Sequence, residues 1–319
     1  MADEFARRWP ENTTGLDAVH RYALLPSGKL LRPHLLARSA LAVGGSLEAV
    51  LPAAVGFEVT HTGSLLHDDI IDQDAVRRGR PAVHVAFGPE MAIVAGNALI
   101  FTWFAALAEC AAYGIPHRRI VGAMEIQAAA GQQICRGAAL ELSLVGDLEA
   151  SLETYSEMAR AKTAALFEAA CQVGAILGGG EAPQIAALGV FGDHLGCAFQ
   201  IRDDLLPYRE DGAGGGKPAD SDLRNRRPTL PVLLAHREAT PAQRAVLRAC
   251  MMPGPDEGEA FGRLAGVLRA TGALDAAEQS ARHHAEQARR ALAEIPPSAD
   301  RDALQALTTT VDIPLARSA

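Results

Sequence analysis

Apolar positions along this chain recur at helical spacing over long runs, and glycine and proline mark the breaks between them. The pattern predicts helices over Lys29 to Val43, Leu47 to Asp72, Glu90 to Ala112, His117 to Arg136, Leu152 to Leu177 and Pro183 to Leu206. Gly44-Gly45 and Gly178-Gly179-Gly180 act as stop signals, because glycine takes the left-handed conformation of a helix C-terminus at no steric cost. Pro207 ends the last of these runs: it lacks the N–H that would bond the Asp203 carbonyl, and its ring clashes with that group. Gly212 to Gly216 reads as a loop, helices resume near Leu230, and Pro241 to Thr310 reads as three or four amphipathic helices. No stretch alternates like a strand and no repeat is evident. The expected fold class is all-α, with residues 1–319 as one large domain.

One run needs separate thought. Met91 to Ala108 carries no charge and approaches the ~20 residues that span a bilayer. Asn97 interrupts it and Gly and Ala are frequent, so it is read as a central helix buried on all sides, with no membrane span. Met1 to Arg8 is polar and charged, so no secretory signal is expected.

Composition narrows the function. The net charge of -8 argues against a nucleic-acid partner, which would call for a basic face. Cys110, Cys135, Cys171, Cys197 and Cys250 lie far apart and form no Cys-x-x-Cys pair, as expected of reduced thiols in a cytoplasmic protein. With only three lysines against twenty-seven arginines, Lys29, Lys162 and Lys217 each draw attention.

Candidate chemistry concentrates in two acidic clusters, Asp68-Asp69-Ile70-Ile71-Asp72 and Asp203-Asp204-Leu205-Leu206-Pro207. Each lies on an apolar helical stretch, where uncompensated carboxylates are costly. Asp68 and Asp72 are four apart and share a helix face, with Asp69 rotated by about 100°. Such a pair repels itself unless a cation intervenes, and magnesium takes one or two carboxylates and completes its shell with water and phosphate oxygens. Arg77-Arg78-Gly79-Arg80-Pro81 follows the first cluster, and arginine forks suit phosphate. Upstream, Lys29 and Arg32 stand three apart on one face of Gly28-Lys29-Leu30-Leu31-Arg32-Pro33.

These motifs, with RAKTAALFEAA, FQIRDDLL and GKPADSDLRNRRPTLP in that order, resemble the trans-isoprenyl diphosphate synthases, or polyprenyl synthetases, over roughly residues 20 to 240. The resemblance implies a helical bundle of the isoprenoid synthase type around a central cavity, with residues 241–319 adding helices. It implies that isopentenyl diphosphate condenses with an allylic prenyl diphosphate to give a longer linear prenyl diphosphate. Lys29, Arg32, His61 and Arg78 match the isopentenyl diphosphate pocket. Asp68, Asp72 and Asp203 match the ligands of magnesium, three ions bound together with diphosphate. Arg77, Lys162, Thr163, Gln200 and Lys217 match groups that hold the allylic diphosphate, and Lys162 and Lys217 stabilise the departing charge. A homodimer is expected on the same basis.

Some positions depart from that pattern. Pro207 replaces the third Asp of the second cluster, where Glu210 or Asp211 could substitute; Asn97 stands where Gly-Asp is common; Ala138 and Glu141 replace a frequent Gln and Asp; Arg227 replaces a frequent Lys. Gly63 and Ser64, one turn below Asp68, are small where an aromatic side chain would stop chain growth, which favours geranylgeranyl (C20) or longer products. Phe101, Trp103 or Phe104 could plug the pocket or simply pack in the core. Two other readings fit parts of the sequence: a class I terpene cyclase, which needs no isopentenyl pocket, and a non-catalytic subunit of a heteromeric synthase.

Overall fold

The computed structural model describes residues 1–208, 221–252 and 257–309. In chain order its elements are α1 (Ala2–Arg8), α2 (Gly15–Leu24), α3 (Leu31–Ala42), α4 (Leu47–Ile71), a hairpin of β1 (Val76–Arg77) and β2 (Arg80–Pro81), α5 (Val83–Phe87), α6 (Pro89–Glu109), α7 (His117–Ser143) and α8 (Leu152–Ala159). There follow α9 (Ala165–Gly178), α10 (Ala182–Leu205), α11 (Ser221–Arg224), α12 (Leu230–Glu238), α13 (Pro241–Cys250), α14 (Glu257–Ala270), α15 (Ala273–Ala291) and α16 (Ala299–Thr309). The all-α expectation holds, and α10 stops just before Pro207, as its missing N–H requires. Periodicity misses two features. A hairpin forms within the expected loop after Asp72, and the run from Leu152 is interrupted by one π turn, Arg160–Ala164. Such turns recur at functional sites.

The chain divides into two compact units. The first comprises Met1–Ala128, Ala169–Gly189 and Glu294–Leu304; the second comprises Ala129–Glu168, Val190–Ala293 and the chain from Gln305.

In the first unit α4 lies between α3 and α6. Phe5, Trp9, Val19 and Leu24 of the N-terminal helices close onto Val55, Val59 and Leu66 of α4 and Leu99 of α6. Each such side chain contributes about 1.5–3 kcal/mol through its removal from water. A Cβ built on Gly63 would lie 2.8 Å from the Gly96 carbonyl oxygen and 3.1 Å from Leu99 Cβ. Gly63 is therefore small because α6 crosses it backbone to backbone, which revises its reading as an opening beneath Asp68. Ser64 is half-buried and its hydroxyl donates to the His61 carbonyl at 2.8 Å.

Helix α6 departs from expectation too. Ala92, Ala95, Gly96, Leu99, Trp103, Ala106 and Leu107 are buried, but Val94 and Phe101 on the other face are 53% and 72% exposed. Trp103 stacks edge-on against Phe57 at 5.1 Å and belongs to the core, whereas Phe101 points outward. Among the described residues, Pro89–Tyr113 is the helical stretch long and apolar enough to cross a membrane.

In the second unit, α12 packs on α8 and α15, and α13 on α14. Helix α15 buries Ala273, Ala277, Ala281, Ala285 and Ala288, a ridge of small side chains at three- and four-residue spacing that permits close helix approach. Thr240 and Gln243 form a capping box that starts α13, with Pro241 at its first position.

The Gly63 crossing yields a direct test. Gly63→Val should destabilise the protein by about 1–3 kcal/mol, as overpacked cores do. Urea denaturation measures this, and a loss below a few tenths of a kcal/mol would contradict the close α4–α6 crossing.

Candidate functional site

Helix α4 ends in a six-residue closure in which Asp74 N–H donates to the Asp69 carbonyl at 3.0 Å and Gln73 N–H donates to the Ile70 carbonyl at 3.3 Å. Gln73 takes the left-handed conformation that this closure needs (φ 55°). Asp68, Asp69 and Asp72 thus occupy the last turn, where the helix dipole already presents partial negative charge. Carboxylates there are stabilised by a cation and penalised without one.

The three acids are not equivalent. Asp69 is buried and receives a fork from Arg77, through Nε at 2.8 Å and through a second, shorter bond from Nη2; Arg77 also lies 3.7 Å from Asp74. Asp68 is half-buried and Asp72 is 2% exposed. Oxygen donors four apart on one helix face fit magnesium, which needs only one or two carboxylates. Among the described residues no group of three or more His, Cys, Asp or Glu is arranged to hold a metal by itself.

The hairpin sets the next groups. Arg78 and Gly79 both have positive φ (53° and 76°), the requirement of a two-residue type I′ turn, so a side chain that is not glycine is held in a strained conformation there. The turn brings the Arg78 guanidinium against Gly28 and within 3.6 Å of Glu58 Oε1. Glu58 is 3% exposed; burial pushes its carboxyl up, while Arg32 and Arg78 pull it down. Burial also lowers Arg32, to about 10. His61, one turn after Glu58, is pushed well below its usual range by burial and then by Arg32, Arg78 and Arg77, so it is neutral at pH 7. Two guanidiniums and one neutral imidazole therefore gather around a single carboxylate, a cluster of net positive charge. Lys29 is exposed.

The second unit contains the other cluster, again at a helix C-terminus. Asp203 is exposed, while Asp204 is buried and accepts from Tyr155 Oη at 2.6 Å, Gln200 Nε2 at 2.9 Å and Leu230 N–H at 3.0 Å. Gln200 in turn accepts from the Thr163 hydroxyl at 2.5 Å, inside the π turn. Beside Thr163, Lys162 Nζ donates to Glu141 at 2.5 Å, and Arg227 reaches the same carboxylate at 3.1 Å. A Cβ on Gly137 would lie 2.3 Å from the Lys162 nitrogen, so α7 presses its backbone onto the π turn one helical turn before Glu141. Glu141 thereby joins two cations.

Within the first unit the structure brings together Arg32, His61, Arg77, Arg78, Asp68 and Asp72. Within the second it brings together Lys162, Thr163, Gln200 and Asp203. Lys217, Glu210 and Asp211 lie outside the described residues. Sequence reasoning misses Glu58, Tyr155 and Asp204 as working groups. An acid inside the apolar run before His61 is a legible signal for Glu58; nothing local marks Tyr155, whose partner is forty-nine residues away.

Comparison with known proteins agrees with the motifs. The polyprenyl synthetase family model matches residues 13–265. The geranylfarnesyl diphosphate synthase of Aeropyrum pernix is 36% identical over 301 residues, 93% of this chain and 92% of that protein. The polyprenyl synthase of Caulobacter crescentus CB15, crystallised with calcium and isoprenyl diphosphate, superposes with a TM-score of 0.89 at 31% identity, covering 98% of this chain and 93% of that one. The geranylgeranyl pyrophosphate synthetase of Pyrococcus horikoshii Ot3 gives 0.88 at 32% identity, covering 99% and 95%.

Burial and then Asp222 push the Asp204 carboxyl from 3.8 to about 7, against the pull of its three donors. The folded value is the higher one, so between those limits the folded chain keeps a proton that the unfolded chain has released. Stability from this group is fully present below that window and is lost as pH rises through it. Urea denaturation from pH 4 to 8 without divalent metal should show that fall, and Asp204→Asn should flatten it; an identical slope in the variant would count against the assignment. Tyr155→Phe, which removes one donor, should cost about 1–3 kcal/mol.

Proposed function

The chain belongs to the polyprenyl synthetase family, and from that premise we propose that it is a trans-prenyltransferase joining isopentenyl diphosphate to an allylic prenyl diphosphate to give a linear product of C20 or longer. The observation that carries the reading is the cationic pocket of Arg32, Arg78 and neutral His61 around Glu58. A cyclase, which ionises one diphosphate and adds no second substrate, has no use for such a pocket. The geranylfarnesyl and geranylgeranyl synthases among its relatives support the product class.

In this reading Lys29, Arg32 and Arg78 bind the diphosphate of isopentenyl diphosphate, and His61 donates a hydrogen bond without adding charge. Arg32 and Arg78 need their fork geometry for this, and Glu58 offsets their mutual repulsion while the pocket is empty. Asp68, Asp72 and Asp203 hold magnesium, in three ions bound with the allylic diphosphate. When bound, magnesium neutralises that diphosphate and favours departure of the leaving group. Lys162, Thr163, Gln200 and Lys217 orient the leaving diphosphate, and Lys162 moves from Glu141 to a phosphate oxygen as it binds. Arg77 joins them in holding the allylic diphosphate, and through Asp69 it also holds the last turn of α4 rigid so that Asp68 and Asp72 keep their geometry. Orientation of two bound substrates accounts for much of the rate.

The same reading takes residues 1–319 as one helical domain, which the 98% chain coverage of a single homologous structure supports. It also includes a homodimer. The exposed apolar face of α6, with Val94 and Phe101, is larger than isolated surface residues would present and suits a self-complementary interface. A cytoplasmic location belongs with it, compatible with five free thiols.

The decisive assay supplies geranyl or farnesyl diphosphate and magnesium, with and without labelled isopentenyl diphosphate, and analyses products by mass. Elongated prenyl diphosphates of C20 or longer should form only when isopentenyl diphosphate is present. A hydrocarbon formed without it would favour the cyclase, no product would favour a non-catalytic subunit, and C15 alone would overturn the chain length. Asp68→Ala should lower kcat/KM on the order of 100-fold or more, about 3 kcal/mol of transition-state stabilisation. For the dimer, light scattering after size exclusion should show Phe101→Glu shifting the protein toward monomer, and an unshifted mass would remove α6 from the interface.

A further inference from the structure

Tyr22 of α2 has no part in the chemistry above, yet the short hairpin is built onto it. Its hydroxyl donates to the Pro81 carbonyl at 2.8 Å, and its own carbonyl oxygen accepts from Arg80 Nη2. The Arg80 guanidinium lies over its ring, 4.1 Å from the centroid, the distance of a cation–π contact. Phe87 of α5 meets the same ring at 5.1 Å, with the planes at 79°. Both residues of β2 and the helix that follows are thus fastened to one residue. Tyr22 is seated in turn by α2, whose Val19 and Leu24 are buried in the core of the first unit.

We propose that Tyr22 is a positioning residue for diphosphate binding: it fixes β2, and through β2 the turn that aims Arg78. This rests on the assignment of Arg78 to the isopentenyl diphosphate pocket. Three features of the hairpin call for such an anchor. With two residues in each strand it has too few ladder bonds to hold its own geometry. Arg78 sits at φ 53°, and a strained residue that is not glycine persists only where its surroundings over-determine it. Arg77 pairs with Arg80 across the ladder, where like charges directly opposite repel. Asp69 draws Arg77 toward α4 while Tyr22 draws Arg80 toward α2, so the two guanidiniums are held by different elements. The turn between them, with Arg78 at its first central position, is thereby held from both strands.

Replacing Tyr22 leaves every cation of the pocket in place, so a loss of diphosphate affinity reports their displacement. The test compares Tyr22→Leu, which loses the ring face and the hydroxyl, with Tyr22→Phe, which loses the hydroxyl alone. In steady-state kinetics with farnesyl diphosphate and magnesium, Tyr22→Leu should raise KM for isopentenyl diphosphate about fivefold or more and change kcat less than about twofold. Tyr22→Phe should stay within about twofold of wild type in both. In an Arg78→Ala background Tyr22→Leu should add little to KM, because the group it acts through is gone. Fully additive effects in that pair would overturn the proposal, as would a fall in kcat with KM unchanged.

Hydrogen exchange in the substrate-free chain gives a readout that does not depend on the reaction. The Ala82 amide donates to the Ala75 carbonyl at 2.9 Å across the base of the hairpin. Tyr22→Leu should speed its exchange, while the amides of α4 and α6 keep wild-type protection and show that the fold is intact. Unchanged exchange at Ala82 would overturn the anchor. Wild-type protein that fails to elongate would sink the functional reading instead, and the exchange comparison then decides the anchor by itself.

Discussion

Carboxylates at the C-terminal turns of long apolar helices set the electrostatic terms for everything else in this protein. The helix dipole and the acids carry the same sign there, so each cluster would weaken its own helix if nothing positive accompanied it. Both clusters resolve the conflict by dividing labour between adjacent aspartates. Asp69 is locked by the Arg77 fork, and Asp204 is saturated by Tyr155, Gln200 and the Leu230 N–H. Asp68 and Asp203 are the members left more open to solvent. In each adjacent pair the buried acid fixes the turn.

The positive side of the chemistry is prepared in the complementary way. Arg32 and Arg78 are drawn together around Glu58, a carboxylate that balances only part of their charge. Burial lowers both guanidiniums and keeps His61 neutral, so the pocket is poised to gain from a polyanion far more than a solvated arginine pair would. In the other unit Glu141 plays the corresponding part for Lys162 and Arg227. Arg32 and Arg78 thus share one carboxylate, and Lys162 and Arg227 another.

Much of this was legible in the sequence because it is local. Breakers at Gly44-Gly45, Gly178 to Gly180 and Pro207 bound the helices, and four-residue spacing alone places Asp68 and Asp72 on one face. The I′ turn that aims Arg78 is written in Arg78-Gly79, although a hairpin so short leaves no alternating pattern to find. The π turn left no trace, because one extra residue per turn does not disturb the apolar periodicity around it.

Other readings depended on what lies across the gap. Gly63 looked like space for a growing chain, yet its room is taken by the backbone of α6. Met91 to Ala108 looked uniformly buried, yet only one face meets α4, since hydropathy counts apolar residues without saying what covers them. By itself the sequence determined the helices, the acidic clusters and the family, all of which rest on nearest neighbours along the chain. Only the tertiary structure decided which acid of each pair is tied down, that Glu58 lies by Arg78 and Tyr155 bonds Asp204, and that His194 meets His284, because those depend on side chains brought together from distant segments by packing.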